Sequence, residues 1–195
     1  MTLSEFLLHD TPNAVVLLEG KRNVKPEDQP KLYQLGKLLA SKTKHMKFRS
    51  GNASGSDDQF SIGVAEIDHT RLQVITPYTG HRKKANLAYE TVSLDDVTLA
   101  SEGDIVYHSK VDKKTDKLID RYVSGHRDRV AMKAAYLIRD TVKVVGTPEI
   151  GPATFGIFYD DLENPRTGGT GHTMKVCDEL GVPMVNQEVW FEWLK

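Results

Sequence analysis

Two stretches of small residues hold most of the chemistry this sequence offers. Ser50, Gly51, Asn52, Ala53, Ser54, Gly55, Ser56 and Asp57 lie between a strand-like and a helix-like segment. Glycine lets the backbone approach a ligand closely, and a helix start leaves N–H groups without intrahelical acceptors. Such a loop is a seat for an anion. Near the other end, Gly168, Gly169, Thr170, Gly171, His172 and Thr173 offer the same chemistry. Three glycines in four residues, flanked by threonines, favour a nest of amides around one phosphate over a plain turn. A third element, Gly20, Lys21 and Arg22, ends the first apolar run. A glycine followed by two cations serves equally as a phosphate contact or as a solvated turn.

The first loop is not a Walker A sequence, because no Lys-Ser/Thr pair follows its second glycine. It lacks the G-x-G spacing of the dinucleotide fingerprint as well. Asp57 would repel a phosphate, so its expected role is helix N-cap or acceptor of ribose hydroxyls. Asp160 and Asp161 follow a strand-like run and suit a ribose, a Mg²⁺ ion or plain solvent. The seven histidines show no HExxH and no paired Cys/His spacing, so no metal site is expected. His172 is expected as a phosphate contact or local cap, with His81 and His126 on the surface. Cys177 reads as a small buried hydrophobe rather than a nucleophile.

The elements that must position these residues read as an α/β pattern. Strands are expected over residues 14–18, 46–49, 72–78, 142–145, 154–159 and 182–185. The first is apolar on both faces, as a central parallel strand should be. Pro183 hints that the last lies at an edge. A helix opens at Pro26 and carries Leu32, Leu35, Leu38 and Leu39 on one stripe. Others follow from Asp57, over residues 130–139, and over 173–180 with Gly181 as its stop. Strands alternating with helices predict a doubly wound, mostly parallel sheet with helices on both faces. Both glycine stretches follow strands, so both are expected at the C-terminal edge of that sheet. Residues 79–125 are irregular and charged, and read as short helices in a mobile excursion, either a lid or a solvated insertion. The aromatic tail, residues 189–194, reads as core packing or a homodimer contact.

At 195 residues the chain suits one domain, and its net charge of -1 announces no dominant basic face for nucleic acid. One cysteine precludes an intrachain disulfide and suggests a reducing compartment. The N-terminal residues lack a basic n-region, and no apolar run approaches the roughly 20 residues a membrane span needs. A cytoplasmic protein without membrane contact is the expectation.

The turn at Gly20, Lys21 and Arg22, the Ser50-to-Asp57 loop and the Gly168-to-Thr173 stretch together resemble three loops of the SLOG superfamily. These are its Gly-Ser-Arg turn, its Ser-Gly-Gly-Ala-x-Gly-x-Asp loop and its Gly-Gly-x-Gly-Thr loop. That superfamily includes the Smf/DprA recombination mediators and the "Lonely guy" phosphoribohydrolases. The resemblance covers residues 14–186 apart from 79–125. It implies a Rossmann-like domain over the whole chain, binding a nucleotide or nucleotide-derived ligand. Arg127 and Arg129 are similar to arginines that lie near a phosphate in these families. The Glu pair that follows the glycine loop in the phosphoribohydrolases has no counterpart, since His172-Thr173-Met174-Lys175-Val176 stands there. Binding is therefore expected in preference to N-glycosidic cleavage, which stays as an alternative using Asp57, Asp161 or Glu179. A DprA-like association with single-stranded DNA is the second alternative. No cofactor beyond the nucleotide-type ligand is indicated.

Overall fold

A computed structural model describes residues 1–99 and 101–195. Among them, six parallel strands form one sheet: β1 (Val15–Gly20), β2 (Lys47–Ser50), β3 (Leu72–Thr76), β4 (Glu90–Ser93), β5 (Phe155–Tyr159) and β6 (Met184–Val185). The spatial order is β4-β3-β2-β1-β5-β6. From β1 the chain therefore winds outward through β2, β3 and β4, then returns to place β5 on the other side of β1. The order reverses between β1 and β5, the switch point where doubly wound sheets leave a crevice.

Alternation along the strands fills two layers. Val16 and Leu18 of β1 pack with Phe48, Phe155 and Ile157 against α1 (Leu3–Leu7), α2 (Gln29–Lys42), α3 (Ser56–Asp68) and α8 (Gln187–Trp190). On the opposite face Leu17 and Phe158 meet Val144, Met174, Val176 and Cys177. These last four come from α6 (Ala131–Val145) and α7 (Gly168–Glu179). Helices thus cover both faces, as expected. The tail is core: Trp190 is fully buried and donates its indole N–H to Phe158 O at 2.9 Å. Trp193 stacks on Phe6. Burial in this layer pushes the Cys177 thiol up to about 12, so the residue is an inert hydrophobe. Among the described residues, no helix is long and apolar enough to cross a membrane.

Four sequence expectations are corrected. Residues 142–145 are not a strand but the last turn of α6, because Ala131, Ala135, Ile138 and Val142 continue one buried helical side. That helix stops only at Gly146, whose φ of 80° is left-handed. Pro26 does not open α2; the helix starts at Gln29, and Pro30 takes the first-turn position. The helix after the second glycine stretch starts at Gly168 rather than residue 173, so the stretch is itself the helix's first turns. Residues 79–125 are not a free excursion. They supply the edge strand β4 and the helices α4 (Gly103–Ser109) and α5 (Asp116–Val123), whose Ile105, Ile119 and Tyr122 are buried with Ala134, Ala135 and Ile138 of α6.

Candidate functional site

A cleft of about 460 Å³ opens at the switch point. Its walls come from the turn after β1 (Gly20, Lys21, Arg22), the loop after β2 (Ala53, with Asp57 below it), Asp161 after β5 and the first turn of α7 (Gly168, Gly169, Thr170). The volume lies within the range of small-molecule pockets. The three loops singled out in the sequence therefore do converge.

Close backbone contacts hold them together. Gly55 has a φ of 88° and packs on the backbone of Arg22 so tightly that a side chain would not fit. Ser56 donates its hydroxyl to Lys21 O at 2.7 Å. Asp57 is neither an N-cap nor a free ribose acceptor. The N-cap position of α3 is Gly55, and the Asp57 carboxylate accepts the amides of Gly51 (3.0 Å) and Ala53 (3.1 Å). It braces the loop from beneath. Asn52, with a φ of 54°, donates its side-chain amide to the carbonyls of His81 and Arg82 and turns away from the cleft. Gly171 is locked against the Arg166 backbone. Asp160 is buried and accepts the Arg166 amide at 2.9 Å, so it shapes the loop into α7. Asp161 lies 3.4 Å from the Lys21 ammonium at the cleft wall.

The remaining wall is one face of α6, which sequence reasoning missed. Tyr136, Arg139, Asp140 and Lys143 line the cleft at spacings of three, four and seven residues, the signature of one helical face. Arg139 is 5% exposed. Its guanidinium lies directly over Gly51, in the space a side chain there would take. Its Nε stands 3.1 Å from Asp140 Oδ1 as an ion pair. Among the described residues, however, neither Nε nor Nη1 has an acceptor in hydrogen-bonding geometry. An under-satisfied buried guanidinium facing a cleft is an anion receptor by chemistry.

Below it lies a buried charge cluster. The Lys143 ammonium is shared between Glu19 Oε2 (2.5 Å) and Asp140 Oδ1 (2.7 Å), with all three side chains under 5% exposed. Thr173 donates to Glu19 Oε2 at 3.3 Å. Arg49 of β2 is fully buried and donates to Lys143 O at 2.7 Å, which fixes the last turn of α6 on the sheet. Burial and the neighbouring carboxylates of Asp57 and Asp140 raise the Glu19 carboxyl to about 7, against the opposing pull of Lys143. Burial also raises Asp57. For Asp140 burial works in the same direction, but Arg139 and Lys143 outweigh it and hold the carboxyl low. His172 is buried behind the cleft, with Nε2 3.0 Å from Thr141 Oγ1, and burial lowers its pKa. It does not line the cleft.

Arg127 and Arg129 do not line it either. Arg127 is exposed, lies over the Tyr122 ring and donates to Tyr122 O and His126 O. Arg129 is exposed. Asp178 and Glu179 sit at the far end of α7, paired with Arg166 and His108.

Glu19 makes stability pH-dependent. In the unfolded chain a Glu titrates near 4.5, whereas in the fold it holds its proton until about pH 7. The native state binds the extra proton between those values, so this contribution is complete below pH 4.5 and is lost as pH rises through 7. The shift from 4.5 to about 7 corresponds to about 3 kcal/mol. Thermal unfolding at pH 5 and pH 8 should show wild type losing roughly 5–10 °C relative to Glu19→Gln as pH rises. Parallel pH profiles for the two proteins would contradict the assignment.

Fold and cleft define a doubly wound α/β protein with its pocket at the switch point of a parallel sheet. No protein-family model and no curated protein matches the chain. The chain is similar in structure to DNA processing protein A from Helicobacter pylori, a protein described as having a unique single-stranded DNA binding mode. The TM-score is 0.52 at 13% sequence identity, over 92% of this chain and 66% of that one. The likeness is one of fold.

Proposed function

We propose that this chain binds a nucleotide or nucleotide-derived phosphorylated ligand in the switch-point cleft, without catalysis. The observation that carries the reading is Arg139: a buried guanidinium on the cleft wall, with N–H groups lacking acceptors. It faces a cleft also lined by the first turn of α7, where the amides of Gly168, Gly169 and Thr170 have no intrahelical acceptors. Phosphate answers both demands. Lys21 and Arg22 add positive charge at the rim. The resemblance of the three loops to SLOG loops supports a nucleotide as the bearer of that phosphate. Binding rather than cleavage fits the acids of the cleft, each of which has a partner: Asp57 with two amides, Asp140 with Arg139 and Lys143, Glu19 with Lys143 and Thr173, and Asp161 with Lys21.

Calorimetry with adenosine 5′-monophosphate, ribose 5-phosphate, inorganic phosphate and adenosine tests this. The phosphorylated compounds should bind and adenosine should not. Binding of adenosine as tight as that of its monophosphate would defeat the reading.

Two observations favour other readings. Glu19, a carboxyl that holds its proton to about pH 7 on the cleft wall, has the character of a general acid and favours a nucleoside monophosphate N-glycosidase. Chromatography after prolonged incubation with monophosphates would show free base in that case. The fold shared with DNA processing protein A favours a single-stranded DNA partner. A gel shift that weakens steeply with salt would support it, since phosphate contacts release counterions.

A further inference from the structure

Beyond Arg139 the α6 wall of the cleft changes character. Tyr136, one turn earlier on the same helical face, lines the cleft with Leu137, and the Arg139 guanidinium carbon lies 5.9 Å from its ring centroid. The ring does not stand alone. His81 meets it edge-on with centroids 5.8 Å apart, and Tyr78 meets His81 edge-on at 5.1 Å. These two residues come from the segment after β3, so the aromatic row runs from that segment to Tyr136, its one member on the cleft wall. His81 is half-buried, and burial together with Arg139, Arg82 and Arg22 lowers its pKa, which favours the uncharged ring. A neutral ring can back Tyr136 without adding charge to its far side. Arg82, the nearby cation, is already committed to Asp58 through two bonds of 2.9 and 2.7 Å.

We propose that Tyr136 is the platform of a nucleobase subsite, held in orientation by His81 and Tyr78, so that the cleft selects base-bearing phosphates over bare sugar phosphates. The proposal rests on the phosphate seat at Arg139. One helical turn, roughly 5 Å along the axis, separates the two side chains, a gap that a ribose bridges. An aromatic face suits any base, because every base presents a π surface. The subsite therefore explains a preference for nucleotides as a class and sets no preference among bases.

The test is calorimetry of wild type, Tyr136→Leu and Tyr136→Phe with adenosine 5′-monophosphate and ribose 5-phosphate. Wild type should bind the nucleotide roughly 5- to 150-fold more tightly than the sugar phosphate, the range of one base–aromatic stack. Tyr136→Leu should erase that ratio by weakening nucleotide binding far more than ribose 5-phosphate binding, and Tyr136→Phe should restore it. If both compounds bind and the ratio survives in Tyr136→Leu, the subsite is refuted and the phosphate seat stands. A Tyr136→Phe protein that binds the nucleotide no better than the sugar phosphate also refutes it. If neither compound binds wild type, the phosphate seat falls and the subsite with it.

Discussion

Replacing Lys143 by methionine is expected to destabilise the protein by about 3–5 kcal/mol, the cost of removing one partner from a buried ion pair. The mechanism is specific. Lys143 is the ammonium between Glu19 and Asp140, both of them buried. Methionine nearly matches the stem in volume, so little of the loss comes from packing. The loss is electrostatic: carboxyls that the ammonium compensated are left in a low-dielectric site. The effect should therefore depend on pH. Near pH 5 Glu19 is protonated in either protein and needs no counter-charge, whereas above pH 7 it does. Thermal unfolding should show a drop of roughly 10 °C or more at pH 8 and a clearly smaller one at pH 5. An equal drop at both values would mean that the ammonium is not what the carboxyls depend on.

The second large effect is on binding. Arg139→Gln should weaken affinity for adenosine 5′-monophosphate by roughly 10- to 100-fold, as expected for lost hydrogen bonds to a charged group. The fold should survive the change, because Asp140 retains Lys143 at 2.7 Å and glutamine fills much of the space over Gly51. Arg127→Gln and Arg129→Gln serve as contrasts. Both arginines are exposed and outside the cleft, so their replacement should alter affinity by less than about twofold if the effect is local rather than long-range, since exposed charges are strongly screened. Equal losses from all three variants would point to a diffuse basic surface instead of a seat.

The contrast between these arginines shows what the sequence carried and what it hid. β1 and β5 are legible because a strand buried on both faces is a continuous apolar run, and AVVLL and TFGIFY are such runs. The glycine stretches are legible because close approach of backbones leaves few alternatives to glycine, as at Gly55 against Arg22. α6 was misread at its end. Val142, Val144 and Val145 form a β-branched cluster that mimics a strand, and only the helical period from residue 131 onward, closed by Gly146, overrides it. Assigning those residues to a strand split Lys143 from Arg139 and concealed the polar face that walls the cleft. Read as one helix, Arg139, Asp140 and Lys143 stand out as a buried charged stripe that continues from Tyr136. β4 went unseen because Glu90, Thr91, Val92 and Ser93 form a half-exposed edge strand with no apolar rhythm. The hold of Arg49 on Lys143 O, 94 positions away, has no local trace at all.

The central claim is that one phosphate sits between Arg139 and the first turn of α7. A crystal structure of the protein at saturating adenosine 5′-monophosphate tests it most directly. The account predicts the phosphate within hydrogen-bonding distance of the Arg139 guanidinium and of the amides of Gly168, Gly169 and Thr170. A nucleotide seated elsewhere on the molecule, or a cleft left empty at saturation, would contradict it.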